Sequence, residues 1–350
     1  MSGIALRESA IRSITEGIDH LITLPVFNWD NMLASIPMVE LYDALRKKYG
    51  KSPLTYAGEK SKEYVKKGDI VAITTGFIVS TMDVIESDGP VGAATLARAI
   101  SIGLGATPVM IVEESHVESM KPICMAAGLK IYPVENVKSS PHRIAVTGFP
   151  KDNAKAKAAA EEIMRTLNPS ALISVECSDH NSKGVYHRAN GTDTSAHQAK
   201  FSALYDLAYH SNVFTLGIGD FGNEIGMANL SEAITRLLPS HANCKCGCGG
   251  GIVGTTKTHA TIIANISNWG AYGLEAALAL QLRNSEIMHD TPTETRVLEE
   301  TARAGYVDPV IGFVEPSADG ASLEITRDLV HLLRSMVRLP ESQAFREAFD

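Results

Sequence analysis

The segment Gly219-Asp220-Phe221-Gly222-Asn223-Glu224-Ile225-Gly226-Met227-Ala228-Asn229 places two carboxylates, two amides and three glycines within eleven residues. Asp220 and Glu224 can give and take protons, Asn223 can hold a polar ligand, and the glycines let backbone N–H groups come close to it. The apolar run at 212–217 reads as a buried strand and 230–238 as a helix. The segment therefore stands at the carboxyl end of a strand, where open α/β sheets bind their ligands. A Gly-rich turn capped by Asp220 or Asn229 is the plainer alternative.

Three more loops follow apolar runs in the same way. In the first, Thr75 and Gly76 lead to Asp88-Gly89-Pro90, which turns the chain into a helix whose free N–H groups suit a carboxylate or a phosphate. Gly92 would let a ligand approach the backbone, whereas in the simpler reading Asp88 only caps the helix. The loop lacks G-x-G-x-x-G spacing, so no NAD is expected. The second loop, 176–193, is long and polar, as functional loops tend to be. Glu176 is its candidate acid or base, with a turn carboxylate as the equal alternative; Arg188 is a candidate substrate contact, and His180 and His187 read as surface residues. In the loop 267–273, Asn268 can hydrogen-bond a small polar ligand and Trp269 can wall it from water, or the two form a cap and a core aromatic.

Between these loops lies Cys244-Lys245-Cys246-Gly247-Cys248, followed by three glycines. C-x-C-x-C is not the paired spacing of a zinc knuckle and no fourth ligand stands nearby in sequence, so a Gly-rich lid hinge leading to Lys257 is the favoured reading, with a metal bound by the three thiols as the alternative.

To bring these loops together, the chain needs a sheet whose strands end on one edge. Apolar runs at 70–74, 108–112, 130–134, 143–147, 171–175, 212–217 and 260–265 alternate with helical patterns, which implies a doubly wound, mostly parallel, Rossmann-like α/β fold. Residues 1–66 read as an N-terminal helical cap, 67–292 as the catalytic core and 293–350 as C-terminal helices packed on it. The chain has 45% hydrophobic and 21% charged residues and a net charge of -8, which suits a globular enzyme and argues against a nucleic-acid partner. No apolar run reaches the roughly 18 residues of a membrane span, no signal peptide is recognisable, and the five cysteines form no disulfide framework. The expectation is a cytoplasmic protein with a small-molecule substrate and no membrane partner, a homo-oligomer being left open.

The ordered motifs TTGF, ESDGPVGAATLARAI, SVE, KGVYH, GTD, GDFGNEIGMAN and SNWGAYGLEAALA resemble the D-glutamate cyclase family over most of residues 70–283. The resemblance implies a lyase that cyclises D-glutamate to 5-oxo-D-proline with loss of water. In the family pattern Arg-Pro-Gly commonly follows the strand-end Glu, where this chain has Cys177-Ser178-Asp179. An Arg is the natural bidentate anchor of a substrate carboxylate. Its replacement predicts a less anionic substrate, such as another lactam, a cyclic amide or a lactone, opened by hydrolysis.

Such chemistry needs a base, an acid, oxyanion donors and an anchor for the ammonium group. Glu224 and Asp220 are the expected base and acid, Glu176 or Asp88 the anchor, and the Gly222 and Asn223 amides, the Asn268 side chain and Lys257 the oxyanion donors. Crowded carboxylates raise one another's pKa values unless a cation joins them; Asp220, Glu224 and Glu176 would suit Mg2+ or Mn2+. A non-catalytic sensor of an acidic metabolite is the rival reading.

Overall fold

Three helices precede the sheet in the computed structural model, which describes residues 3–25, 36–139 and 141–342: α1 (Gly3–Ile22), α2 (Met38–Tyr49) and α3 (Pro53–Tyr64). The stretches of the expected cap and tail at 1–2, 26–35 and 343–350 lie outside the described residues. Strand β1 (Ile70–Thr75) is followed by a small hairpin, β2 (Ile78–Val79) and β3 (Val84–Ile85), and by helix α4 (Pro90–Gly103). Then come β4 (Thr107–Glu113), α5 (Val117–Ala126), β5 (Lys130–Ile131), β6 (Arg143–Phe149), α6 (Asn153–Leu167) and β7 (Ala171–Val175). The second half runs through α7 (Ser202–Tyr209), β8 (Phe214–Gly219), α8 (Ser231–Leu237), β9 (Ala260–Ile263) and α9 (Ser267–Leu282). Helix α10 (Thr291–Arg303), the hairpin β10 (Ser317–Ala318) and β11 (Ala321–Ser322), and helix α11 (Leu323–Arg338) complete it.

The main sheet has the order β5-β6-β4-β1-β7-β8-β9, and all its pairings are parallel. Alternation along β1 sends Val71 and Ile73 into one hydrophobic core and Ile70 and Ala72 into another on the opposite face. That is why the strands read as continuous apolar runs rather than alternating ones. The chain begins at the centre, builds β4, β5 and β6 on one side, then crosses to β7, β8 and β9 on the other. The winding therefore reverses beside β1, and the crevice at such a reversal is where a doubly wound sheet takes its ligand.

Helix α9 is buried from Ser267 to Leu280, its Ala and Leu residues facing α1, α3, α4 and α11 on all sides. A helix apolar all round can be stable only inside. Helix α11, by contrast, is amphipathic, burying Leu329, Val330, Leu333 and Val337. Among the described residues no helix is long and apolar enough to cross a membrane.

Candidate functional site

The carboxyl ends of β1, β7, β8 and β9 meet, and two helix N-termini seal them together. The Asp88 carboxylate accepts from the backbone N–H groups of Ser267 (2.8 Å) and Asn268 (2.7 Å), the first residues of α9. In return the Asn268 side-chain carbonyl accepts from Gly89 (2.9 Å) and Gly92 (2.7 Å) at the start of α4, while its amide donates to the Ser87 carbonyl (3.1 Å). Each helix caps the other, satisfying N–H groups that an α-helix cannot pair internally. Gly89, at φ +96°, also lets the chain pass Glu176 and Thr75: a Cβ there would lie 2.7 Å from the Glu176 Cβ and the Thr75 hydroxyl oxygen.

Around this junction gather Glu86, Asp88, Glu176, Asp220, Glu224 and Asp319, none more than 8% exposed. Ligand oxygens of Asp88, Asp220 and Asp319 lie within 4.8 Å of one another, as do those of Glu176, Asp220 and Glu224. Asp220 belongs to both groups and so stands between Glu224 and Asp319. Among the described residues none of the six forms an ion pair with Lys or Arg. Burial first, and then Glu224, pushes Asp220 well above the usual carboxylate range; burial and Asp220 do the same to Glu176. Glu86 is likewise raised, by burial and then by Asp319 and Asp88, and Asp319 by burial and then by Asp88 and Asp308. Two members stay near neutrality. Burial lifts Glu224, but N–H groups of Gly222 (2.8 Å) and Phe221 (3.3 Å) hold it at about 7. The three backbone donors on Asp88 hold it at about 6 against its burial.

Glu176 is further constrained by its backbone, at φ +50° in the left-handed region, an uncommon conformation for a side chain without local compensation. One of its oxygens accepts from the Ser267 hydroxyl at 2.6 Å. The Thr75 hydroxyl, at the end of β1, is buried without a hydrogen-bond partner, and so are both polar atoms of the Asn265 amide just beyond β9.

Several sequence expectations are redirected by these contacts. Gly92 serves helix packing rather than a ligand, because a Cβ there would meet the Asn268 Cα at 2.7 Å and the Ala271 Cβ at 2.9 Å. Asn268 is occupied by its three cap contacts, and the Gly222 N–H by Glu224, so neither is a free oxyanion donor. Trp269 belongs to the hydrophobic core. Gly76, at φ +108°, makes the turn into the β2–β3 hairpin and faces Ile85. Asn223 donates to the His187 carbonyl (2.9 Å), leaving its side-chain oxygen buried and unpaired. Lys257 is exposed, and its charge bears on Lys48. Arg188 is half-buried, and its charge reaches Glu86.

Cys177 also has a different role from the one expected. Its thiol is fully buried, packs in the core with Tyr205 and lies 3.3 Å from the Thr74 hydroxyl, so burial pushes it up to about 12. The side chain points into the core below the sheet edge. The residue type at 177 therefore says little about a carboxylate anchor, and the positive charge of Arg188 acts on Glu86 at the cluster.

Asp319 and Glu86 were not singled out by the sequence reading. Asp319-Gly320 forms the two-residue turn of the β10–β11 hairpin, with φ +49° and +80°, and the Gly320 N–H is held by Asp308 at 2.8 Å. Asp-Gly between two short strands is a recognisable hairpin signal, which would have marked this turn but not its destination. Glu86 is placed by a strand-like bridge to Val307. Asp179, in the loop after β7, is fully satisfied: it accepts from His180 N–H (2.8 Å), the Ser202 hydroxyl (2.7 Å) and both the N–H and hydroxyl of Thr256 (2.7 Å each). It fastens that loop to the segment before β9. The cysteine segment is not isolated either, because His187 reaches it from the same loop.

A family model described as D-glutamate cyclase-like, C-terminal, matches residues 43–334. The chain is also similar to the D-glutamate cyclase, mitochondrial, of Homo sapiens, with 27% identity over 108 residues. That stretch is 31% of this chain and 16% of the human protein.

Proposed function

This chain belongs to the D-glutamate cyclase-like family, and from that premise we propose that it is an enzyme that closes or opens a five-membered lactam, with D-glutamate and 5-oxo-D-proline plus water as the reference pair. The observation that carries the reading is the pair of buried carboxylate triads, Asp88–Asp220–Asp319 and Glu176–Asp220–Glu224, that meet at Asp220 where the strand ends join.

Cyclisation forms one C–N bond and breaks one C–O bond. Two protons leave the ammonium nitrogen and both end on the departing oxygen, which leaves as water. The site must therefore accept and give protons near neutral pH. Glu224, at about 7, takes a proton from the ammonium so that the nitrogen's lone pair can attack the side-chain carboxyl carbon. Asp220, which keeps its proton, gives it to the oxygen that departs. The tetrahedral intermediate then loses its second N–H proton to the ionised Asp220, and Glu224 passes the proton it took to the departing oxygen, which leaves as water with both carboxyl groups restored; microscopic reversibility lets the site open a lactam with water. Glu176, with one oxygen fixed by Ser267, and Asp319 attract the ammonium; Asp88 is committed to capping α9 and positions the others. Arg188 at the rim supplies positive charge for the α-carboxylate. The unpaired Thr75 hydroxyl and Asn265 amide are the remaining candidates to hold the substrate's polar groups.

The two carboxylate triads have the all-oxygen, anionic donor set that suits a hard divalent ion, Mg2+ or Mn2+. Such an ion would polarise the carboxyl group under attack and neutralise the crowded charge. Glu176, Asp220 and Glu224 would hold it, with Asp88 and Asp319 on the other side of Asp220.

The deciding experiment incubates the purified protein with D- and L-glutamate, 5-oxo-D-proline, neutral lactams and lactones, with and without a chelator, and follows products by NMR. Interconversion of one amino acid and its lactam is expected. Tight binding of an acidic metabolite with no turnover of any compound would instead make the site a sensor.

A further inference from the structure

A second constellation lies outside the carboxylate site. Cys244, Cys246 and Cys248 come from the segment before β9, and His187 from the loop after β7. Their four ligand atoms all lie within 4.8 Å of one another. The Cys244 and Cys248 sulfurs are 3.3 Å apart, and the Cys246 and Cys244 sulfurs 3.4 Å. His187 Nε2 stands 3.2 Å from the Cys246 sulfur and 3.9 Å from that of Cys248. Four donors on a tetrahedral zinc ion, with Zn–S of about 2.3 Å, are separated from one another by about 3.8 Å.

The backbone is shaped for this convergence. In an extended strand, residues four apart lie about 13 Å from each other. Left-handed glycines at 247 and 249, with φ +76° and +72°, curl the segment so that alternate side chains meet at one point. The loop after β7 docks on it through Lys245 N–H to the Gly191 carbonyl (2.9 Å) and the Asn181 amide to the Gly251 carbonyl (2.7 Å). The Cys248 sulfur also accepts from the Asn181 amide at 3.2 Å and the Gly250 N–H at 3.5 Å, which fixes its position. His187 is only 1% exposed, yet its Nδ1 has no partner and its Nε2 faces only sulfur. A buried imidazole held this way gains little from thiols and much from a metal ion.

We propose that Cys244, Cys246, Cys248 and His187 form a closed Cys3His site for a thiophilic divalent ion of the zinc class. With four protein ligands it has no open position, so its role is structural. It staples the loop after β7 to the segment before β9. Through His187 it also holds the pocket wall, because the His187 carbonyl accepts from Asn223 and Arg188 is the next residue. The ligands lie about sixty residues apart in the chain, so the staple closes a long loop.

The test uses the full chain purified under reducing conditions. Elemental analysis is expected to find one zinc per chain. Replacement by Co2+ is expected to give thiolate-to-cobalt charge transfer and the intense d–d bands of a tetrahedral ion. Cys246→Ser and His187→Gln should each lower metal content and alter or abolish those bands, whereas Asp220→Asn should leave them intact, which separates this site from the carboxylates. Because the ligand variants can misfold, the wild-type Co2+ titration stands as an independent readout. The proposal is overturned if wild-type protein binds neither Zn2+ nor Co2+, if the cobalt spectrum survives Cys246→Ser unchanged, or if the cysteines carry a disulfide or an iron–sulfur chromophore with acid-labile sulfide.

Discussion

Two buried groups of ionisable residues can be set side by side. In one, His289 lies between Glu275 (2.7 Å) and Glu294 (3.0 Å), and Tyr272 donates to Glu294 at 2.8 Å, all of them with no exposed surface or nearly none. Burial works against a charged imidazolium, but the two carboxylates outweigh it and hold His289 at about 9. In the other, six carboxylates crowd together with no Lys or Arg ion pair among the described residues. The first group contains its own countercharge and fastens α9 to α10. The second lacks one and must bind protons, a cation or a cationic substrate to reach the same balance. A buried cluster that holds its own cation acts as structure, whereas one with no cation has a standing affinity for whatever supplies one.

Substitution separates the two most sharply. Glu224→Gln keeps size and hydrogen bonding but cannot carry a proton, so turnover should fall by about 10²- to 10⁴-fold. Its melting temperature should hold or rise, since one member of a repelling set becomes neutral. Steady-state kinetics with thermal unfolding checks both, and near-normal turnover would move proton transfer to Asp220 or Glu176. The opposite signature is expected for His289→Gln. Removing the imidazolium leaves two carboxylates buried without countercharge, at a cost of about 3–5 kcal/mol of stability. Turnover per folded molecule should barely change; denaturant titration beside active-site counting measures the two, and an undiminished midpoint would show the triad to be dispensable.

The smallest effect is in the pH dependence of stability. Glu224 is raised from its ordinary 4.5 to about 7, and His289 from 6.5 to about 9. Raised folded-state values mean that the native state binds protons more tightly than the unfolded one. Each contribution is complete below the ordinary value and lost as pH rises through the folded one. Without divalent ions the melting temperature should thus decline from about pH 4.5 to 7 through Glu224, and from about 6.5 to 9 through His289. Glu224→Gln should flatten the first stretch and His289→Gln the second. Mg2+ or Mn2+ should raise the midpoint more in alkaline than in acidic buffer, since protons compete for the same oxygens. A uniform shift across pH would argue against carboxylate ligation.

The same contrast marks how far the sequence could be read. Apolar runs announced the strands of the main sheet, and Asp88, Glu176, Asp220 and Glu224 were legible because each stands a few residues past a strand end. What each group touches was not legible. Asn268 and Gly92 looked available to a ligand, yet their partners lie 176–180 residues away in the chain and occupy them fully. Cys177 looked like a gap in an anion site, but the turn at Glu176 sends its side chain into the core. Asp319 stayed hidden because a two-residue hairpin beyond α10 gives no local hint of which edge of the sheet it reaches. His187 read as a surface residue, and its burial against three sulfurs depends on two loops meeting.

The exchange of caps between α4 and α9 also bears on how the protein is made. Asp88 leaves the ribosome long before Ser267, its partner 179 residues further on. Until β9 has been synthesised and docked, the start of α4 has no Asn268 carbonyl to receive its N–H groups, and Asp88 has no helix to cap. Closing so long a loop is a late and entropically costly event. The nascent chain can therefore lay down most of its sheet while the acidic centre is still open to water, and the cluster closes only once α9 and the β10–β11 turn that carries Asp319 have joined it.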